Sequence, residues 1–397
     1  MCPNMNSVVE SVPEALSIYI NQVVYDKKSR GERVYTYSLG EAFFDIPRFE
    51  ITDEEMQIGY HYSSSKGLPE LRKKICEMYE KRYGVMADSE HEILVSGGSK
   101  ALIFMALQTC VCPGDEVVYH EPAWLSYKEQ IKLVGGKPVA IPFYEDIHRW
   151  GNYISDKTKV LILNNPNNPS GKLYSYEEMS FLLKLAREKD FFILADEAYS
   201  DFLMTGDSFL SFAKLDRNKE NVIVVNSLSK NMGMSGWRVG YVIGHETIIK
   251  QILKLNQHII TCAATILQEY MSKHFFDILE STIPQAVETT YKRDSVKKIM
   301  DKYGIKALQG TGTFYFLIDV SEFPGETEEL AYDLLLNYNI ATVPGEAYGE
   351  STKDFLRFGI GVESLEDIEK SLGVIKEFLK LDQYDSSKIR VQMKEYL

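Results

Sequence analysis

The sequence predicts an α/β protein with two parts: a large domain holding a mostly parallel seven-stranded sheet between helices, and a smaller α+β domain formed by the N- and C-terminal segments. Three observations predict it. From about residue 68 to 245, apolar runs rich in Val, Ile and Leu alternate with segments of helical period, and buried strands alternating with helices form a parallel sheet covered on both faces. After about residue 283 the pattern changes to longer helical stretches and fewer strands, as an α+β unit would show. Finally, 397 residues exceed one small core, at roughly 150 residues per domain.

The seven strand candidates, in order, are EILV, DEVVYH, KPVAIP, KVLILNN, FFILADE, NVIVVNS and WRVGYVIG. Each is a short apolar run bounded by turn or polar residues. Helical period marks LPELRKKICEMYEKR, SKALIFMALQTCV and SYEEMSFLLKLAREKD among them. Beyond residue 283 come a helix opening at Pro284, PQAVETTYKRDSVKKIMDKYG, the strands TFYFLIDV and DFLRFGIG, and the helices EELAYDLLLNYN and LEDIEKSLGVIKEFLKL. The polar end, DQYDSSKIRVQMKEYL, reads as a peripheral helix or a loose tail. The expected domains are 50–283 as the large unit, and 1–49 with 284–397 as the smaller one.

With 44 Lys and Arg against 57 Asp and Glu the formal net charge is −13, which repels phosphate backbones and anionic membranes. Nucleic acid and membrane are therefore not expected partners. No apolar run nears the ~18 residues that span a bilayer, and the N-terminus lacks the basic start and apolar stretch of a signal peptide. The expected setting is cytoplasmic. Cys2, Cys76, Cys110, Cys112 and Cys262 form no C-x-x-C pair, and are expected to be small buried apolar residues. The seven histidines include no H-E-x-x-H and no His/Cys cluster, so no metal is expected.

Four segments each follow a strand candidate, and in a parallel α/β sheet ligands sit beyond the carboxyl ends of the strands. In VSGGSKAL, Gly97 and Gly98 lead into a helix near Ser99, whose free N–H groups suit a phosphate or another anion; a plain tight turn is the alternative. In LILNNPNNPSGK, two Asn-Pro pairs force an irregular loop that exposes Asn168, either to a ligand or to nothing. The SGK here is no phosphate loop, because Leu173 stands where Ser or Thr is needed and Pro166 where the first Gly should be. In FFILADEAYSDF, Asp196 ends an apolar strand and Tyr199 lies three residues beyond. A carboxylate there needs a cation or strong donors, and a proton-bearing heterocycle nitrogen or a helix cap would each serve. In NSLSKNMGMSGWRVGYVIG, Ser227, Ser229, Lys230 and Arg238 fall within twelve residues. Lys230 follows an apolar strand rather than lying on a polar face, and Arg238 offers planar donors suited to phosphate.

Together with GEAFFDIP, YSSSKGLPELR, VPGEAYG and FLRFGIG, these segments run in one family's order from about residue 38 to 375. The chain resembles the class I/II aminotransferases, pyridoxal-phosphate enzymes of the aspartate aminotransferase fold (fold type I). The resemblance implies a Schiff base between Lys230 and pyridoxal phosphate, with Lys230 later moving the proton at Cα. It implies Asp196 on the pyridine nitrogen, Tyr199 and Asn168 on the ring hydroxyl, and Trp124 of EPAWLSY stacked on the ring. The phosphate would take the backbone of Ser99 and Lys100, the side chains of Ser227 and Arg238, and Tyr62 from a neighbouring subunit. Arg357 would clamp the substrate carboxylate, with Gly40 close by. A homodimer with shared active sites follows, acting on an L-amino acid and a 2-oxo acid in amino acid metabolism.

The family's usual GEPDF appears here as GEAFF, so Ala42 and Phe43 alter the substrate entrance. Lys100 stands where some aspartate-preferring relatives bind a distal carboxylate, and a helix-surface lysine is the other reading. A serine acyl-transferase using Ser227 and Lys230 as S-x-x-K would also need S-D-N and K-T-G elements, and the chain has neither. The alternative on the same cofactor is a lyase resembling aminocyclopropane-carboxylate synthase, which shares the S-L-S-K segment; MSGWR, in place of the lyase's LPGFR style, points to transamination.

Overall fold

The computed structural model describes residues 5–204 and 206–396. All seven sheet candidates form strands: β1 (Ile93–Ser96), β2 (Glu116–His120), β3 (Lys137–Ile141), β4 (Thr158–Asn164), β5 (Phe192–Asp196), β6 (Val222–Ser227) and β7 (Gly240–Ile243). They lie in one sheet in the order β1-β7-β6-β5-β4-β2-β3. Only β7 runs against the others.

Successive strand residues point to opposite faces, and here both faces meet a core. Leu161, Leu163, Ile193, Ala195, Val222 and Val224 join one apolar cluster with Leu71, Ile75 and Tyr79 of the helix Pro69–Tyr83. Val160, Ile162, Leu194, Ile223 and Val225 join another with Leu102, Ile103 and Ala106 of the helix Ser99–Cys110. Burial on both sides explains why these strands read as unbroken apolar runs rather than alternating ones.

A second sheet holds β8 (Tyr315–Asp319), β9 (Val343–Pro344) and β10 (Phe355–Gly359), antiparallel, in the order β9-β10-β8. Its core includes Phe316, Ile318, Leu330, Leu334, Leu356, Phe358, Leu372 and Ile375. The N-terminal segment packs here: Tyr35–Thr36 pair with Ile340–Ala341 in parallel, and Ile20, Val23 and Val24 of the helix Leu16–Ser29 pack with Leu335 and Val343.

The helix expected to open at Pro284 instead runs Thr265–Tyr303, with non-helical angles only at His274. Pro284 mimics a helix start because proline suits the first helical position. Inside the helix it forgoes one hydrogen bond, and its buried neighbours Leu279, Thr282 and Ala286 keep the helix seated. The boundary expected after residue 283 therefore falls within a helix. The polar C-terminal stretch forms the helix Ser387–Tyr396; just ahead of it Tyr384 Oη donates to Asp333 Oδ2 at 2.7 Å, on the helix Thr327–Tyr338. The cysteines are less uniform than expected. Cys76 is buried, Cys110 and Cys262 are half-buried, Cys112 is exposed, and all four are free thiols; Cys2 lies outside the described residues. Thiols fill such sites by size alone, so exposure rises from Cys110, the last residue of the helix Ser99–Cys110, to Cys112 in the turn beyond it. No helix among the described residues is long and apolar enough to cross a membrane.

Candidate active site

A cavity of about 520 Å³ opens beyond the carboxyl ends of β1, β4, β5 and β6. Gly40, Ser99, Lys100, Trp124, Asn168, Asp196, Tyr199, Ser227, Lys230, Arg238 and Arg357 all line it. Strand alternation aims two of these, together with Asn164, which also lines the cavity: Asp196 continues the face of Leu194, Ser227 that of Val225, and Asn164 that of Ile162.

Asp196 is buried. Its Oδ2 accepts from Tyr127 Oη at 2.6 Å and its Oδ1 from the Ala198 N–H at 3.1 Å. Burial pushes its carboxyl above the usual carboxylate range, against the pull of these two donors and of Lys230. Tyr199 Oη accepts from Asn168 Nδ2 at 3.2 Å and meets Tyr315 Oη at 3.1 Å. Asn168 is fixed from below, where its N–H donates to Asn164 Oδ1 at 2.6 Å, but its own Oδ1 is buried with no partner.

Lys230 sits on the short helix Leu228–Asn231. Its Nζ donates to the carbonyl of Gly40 and lies 5.8 Å from the Tyr199 ring centre. Desolvation, with the nearby guanidinium groups of Arg357 and Arg238, brings its ammonium down to about 8, although Glu41 and Asp196 oppose the shift. A lysine so lowered is a usable nucleophile or base near neutral pH.

Arg357 occupies the middle of β10 and is 4% exposed. Its guanidinium lies 4.7 Å from the Tyr315 ring centre and 5.1 Å from that of Tyr348, and Nη2 donates to Ser38 O at 2.5 Å. Its Nε has no partner. A guanidinium held by two aromatic faces with donors to spare is prepared for a carboxylate.

At the opposite end the helix Ser99–Cys110 starts without a side-chain cap. Gly98 (φ +95°) and Gly240 make its close approach possible. A Cβ on Gly98 would fall 2.8 Å from Arg238 Nη2, and one on Gly240 would fall 2.5 Å from the Ser99 nitrogen. Arg238 is anchored by Nη1 to Ser235 O at 2.8 Å. Lys100 Nζ stands 5.0 Å from the Trp124 ring centre, and burial with the Arg238 charge lowers its pKa. Free backbone N–H groups, serine hydroxyls and two cations together make an anion site.

Tyr62 alone among the expected site residues does not line this cavity; it is 86% exposed. Several lining or supporting residues were missed from the sequence. Tyr127 ends the same EPAWLSY segment that supplied Trp124, so its hydroxyl was in view. Tyr315 and Tyr348 lie in stretches where an aromatic reads as core, and Ser17, Asn21 and Ser38 come from an N-terminal segment with no local sign of a site.

A phosphorylated pyridine aldehyde fits this donor set. The unpartnered Asn168 Oδ1 and Arg357 Nε, the uncapped start of the helix at Ser99, and a buried carboxylate without a contacting cation each await a group of opposite character. Among the described residues no group of three or more His, Cys, Asp or Glu could hold a metal ion.

Comparison with known proteins gives a consistent picture. The family model described as aminotransferase class I and II matches residues 48–375. A (5-formylfuran-3-yl)methyl phosphate transaminase of Methanocaldococcus jannaschii is 34% identical over 89% of this chain and 93% of its own length. An aspartate aminotransferase of a Bacillus species is 31% identical over 94% and 98%. The solved aspartate aminotransferase of Thermus thermophilus with maleate superposes with a TM-score of 0.85 at 27% identity, covering 95% of this chain and 100% of that one. The lyase alternative finds no support among these relatives.

Proposed function

The chain belongs to the class I and II aminotransferases and is a pyridoxal-phosphate-dependent transferase, and from that premise we propose how its own residues carry the reaction between an amino acid and a 2-oxo acid. One observation supports this reading most: a single cavity brings together a lysine lowered to about 8, a buried carboxylate, and a tyrosine-flanked arginine with an unpartnered donor.

When bound, pyridoxal phosphate supplies an aldehyde that takes up the amino group and a ring that spreads the charge left when Cα loses its proton. Lys230 would hold the cofactor through its side-chain amine and would carry the proton from and to Cα. Asp196, kept in place by Tyr127, keeps a proton on the ring nitrogen. Asn168 and Tyr199 hydrogen-bond the ring hydroxyl, and Trp124 covers the ring. Ser99, Lys100, Ser227 and Arg238 hold the phosphate. Arg357 binds the substrate carboxylate beside Gly40, where a Cβ would come within 3.2 Å of Tyr315 Oη. Lys100 Nζ has no carboxylate partner among the described residues, so amino donors with an acidic side chain are the first class to test. In this reading 50–283 forms the cofactor-binding unit, and 1–49 with 284–397 the smaller one. The free thiols support a reducing, cytoplasmic setting.

The test is a half-reaction screen in which the visible absorbance of the holoenzyme is followed as each amino acid is added. Conversion of the band, with one 2-oxo acid released per site, is the expected result. Release of ammonia without a 2-oxo acceptor would sink the transaminase reading.

A homodimer sharing its sites completes the proposal. Phe43, Ile51, Met56, Ile58, Tyr60 and Tyr62 are exposed within one stretch of twenty residues, a larger apolar surface than a monomer needs. If Tyr62 serves the partner's site, subunits carrying Tyr62→Ala mixed with subunits carrying Lys230→Ala regain activity, because each hybrid dimer has one intact site. An equal mixture should reach about a quarter of wild-type turnover. No recovery in hybrids proven by mass to form would place Tyr62 outside the shared site.

A further inference from the structure

β5 ends at Asp196, and Asp196 and the next residue, Glu197, carry carboxylates that point to opposite sides of the sheet. Asp196 enters the cavity, whereas Glu197 is wholly buried behind the sheet, against the helix Pro69–Tyr83. Glu197 Oε1 accepts from Ser211 Oγ at 2.8 Å and from the Phe212 N–H at 3.1 Å, and Oε2 from Tyr79 Oη at 3.3 Å. It has no ion-pair partner among the described residues. A buried charge without a cation is costly, and burial pushes this carboxyl up to about 8, so at neutral pH it is mostly a neutral acid, whose own proton sits on Oε2 and donates to Tyr79 Oη in place of the reverse bond.

The same alternation recurs on the neighbouring strand. Ser227 faces the cavity and Asn226 lies buried behind it. Asn226 Nδ2 donates to Tyr79 Oη at 3.1 Å, and Asn226 Oδ1 accepts from the Ser227 N–H at 2.7 Å. At the other end of the segment Asn231, the residue after Lys230, donates to Ser200 Oγ at 2.9 Å, and Asn226 Nδ2 reaches that oxygen at 3.5 Å. Tyr83 Oη lies 3.0 Å from Ser200 Oγ and 3.2 Å from Asp201 Oδ1, which also pairs with Arg82. The stretch bearing Ser227 and Lys230 is thus gripped at both ends by one hydrogen-bonded network on the far side of the sheet.

We propose that Glu197 is a positioning residue, fixing Ser227 and Lys230 through Tyr79 and Asn226, and that it acts as a hydrogen-bonding hub rather than as a charge. The proposal rests on Ser227 and Lys230 holding the cofactor. Without Glu197, Tyr79 loses the partner that sets its hydroxyl, and Asn226 is free to turn away from the Ser227 N–H. Glutamine at this position keeps an acceptor for Ser211 and Phe212 and offers an amide N–H to Tyr79. Phenylalanine at Tyr79 deletes only the link, since the ring still packs edge-on against Tyr83 and Tyr241.

The experiment strips and restores pyridoxal phosphate in the full chain, measuring its Kd and the pH midpoint of the bound cofactor's visible absorbance. Glu197→Ala and Tyr79→Phe should weaken the Kd by about tenfold or more, the worth of one buried hydrogen bond, and should move the midpoint. Glu197→Gln should match the wild type within about twofold at an unchanged midpoint. Wild-type Kd and midpoint in Tyr79→Phe overturn the proposal, whether or not Glu197→Ala folds. A Glu197→Gln variant as weak as the alanine variant also overturns it. Should Lys230→Ala keep the wild-type visible band, the lysine assignment itself fails, a result distinct from either of these.

Discussion

Replacing Lys230 with alanine should abolish turnover, lowering kcat by at least about 10⁴-fold, the upper range for removing a positioned general base, while the protein still folds and still takes up pyridoxal phosphate. The cavity explains why both halves hold. The amine is one wall contact among eleven expected ones, so Asp196, Asn168, Arg238 and the helix start remain to bind the cofactor. What disappears is the group proposed to move the proton and hold the aldehyde. Absorbance of the reconstituted variant should resemble free aldehyde rather than a lysine adduct. In the wild type, attachment should follow the neutral amine. With the ammonium lowered to about 8, the neutral fraction at pH 7 is about one in ten, against well under one in a thousand for an ordinary lysine. The attachment rate should therefore rise with pH and level off above about 8. A rate still climbing in proportion beyond pH 10, or turnover within about a hundredfold of wild type in the variant, would contradict the role.

Asp196→Asn should lower kcat by about 10²–10³-fold, as when one preorganised electrostatic contact is removed, without destabilising the cofactor-free protein. The two effects separate because the carboxylate is a burden in the empty fold. Burial raises its folded-state pKa, so the folded protein holds a proton there that the unfolded chain has already released. Stability then falls as pH rises from the ordinary carboxylate value through the raised one. Asparagine carries no such charge. It can still accept from the Ala198 N–H, and the Tyr127 hydroxyl can turn from donor to acceptor. The Tm of the cofactor-free variant should equal or exceed that of wild type at pH 7, with a flatter dependence on pH above the ordinary carboxylate range. Turnover within tenfold of wild type would remove Asp196 from the reaction, and a large drop in Tm would mean that its charge stabilises the fold.

Much of this was legible in the sequence, for physical reasons that differ by element. Strands β1 to β7 announced themselves because burial on two faces makes unbroken apolar runs, and Ser99, Asp196 and Lys230 could be placed because they follow such runs directly. Arg357 was visible only through its family segment, since an arginine between Leu356 and Phe358 gives no local sign that two tyrosines flank it. The helix Leu16–Ser29 was unread because its apolar face is set by residues more than 300 positions away. Pro284 misled because a proline's preference for a helix start is a statement about one turn, whereas the packing of Leu279, Thr282 and Ala286 is a statement about two. Tyr79 and Asn226 stayed silent because hydrogen-bonded polar groups behind a sheet look like core substitutions.

The alternation along β5 and β6 sets how this chain can vary. Deleting or inserting one residue upstream in β5 would send Glu197's neighbour backwards and bring a core side chain to the cavity, exchanging the two environments in one step. Point substitutions at Asp196 or Ser227 degrade one contact; a one-residue shift in register inverts every contact on the strand. Length variation should therefore collect in the surface turns between helices and sheet, and be purged from the two strands in any mutational library selected for growth on transamination.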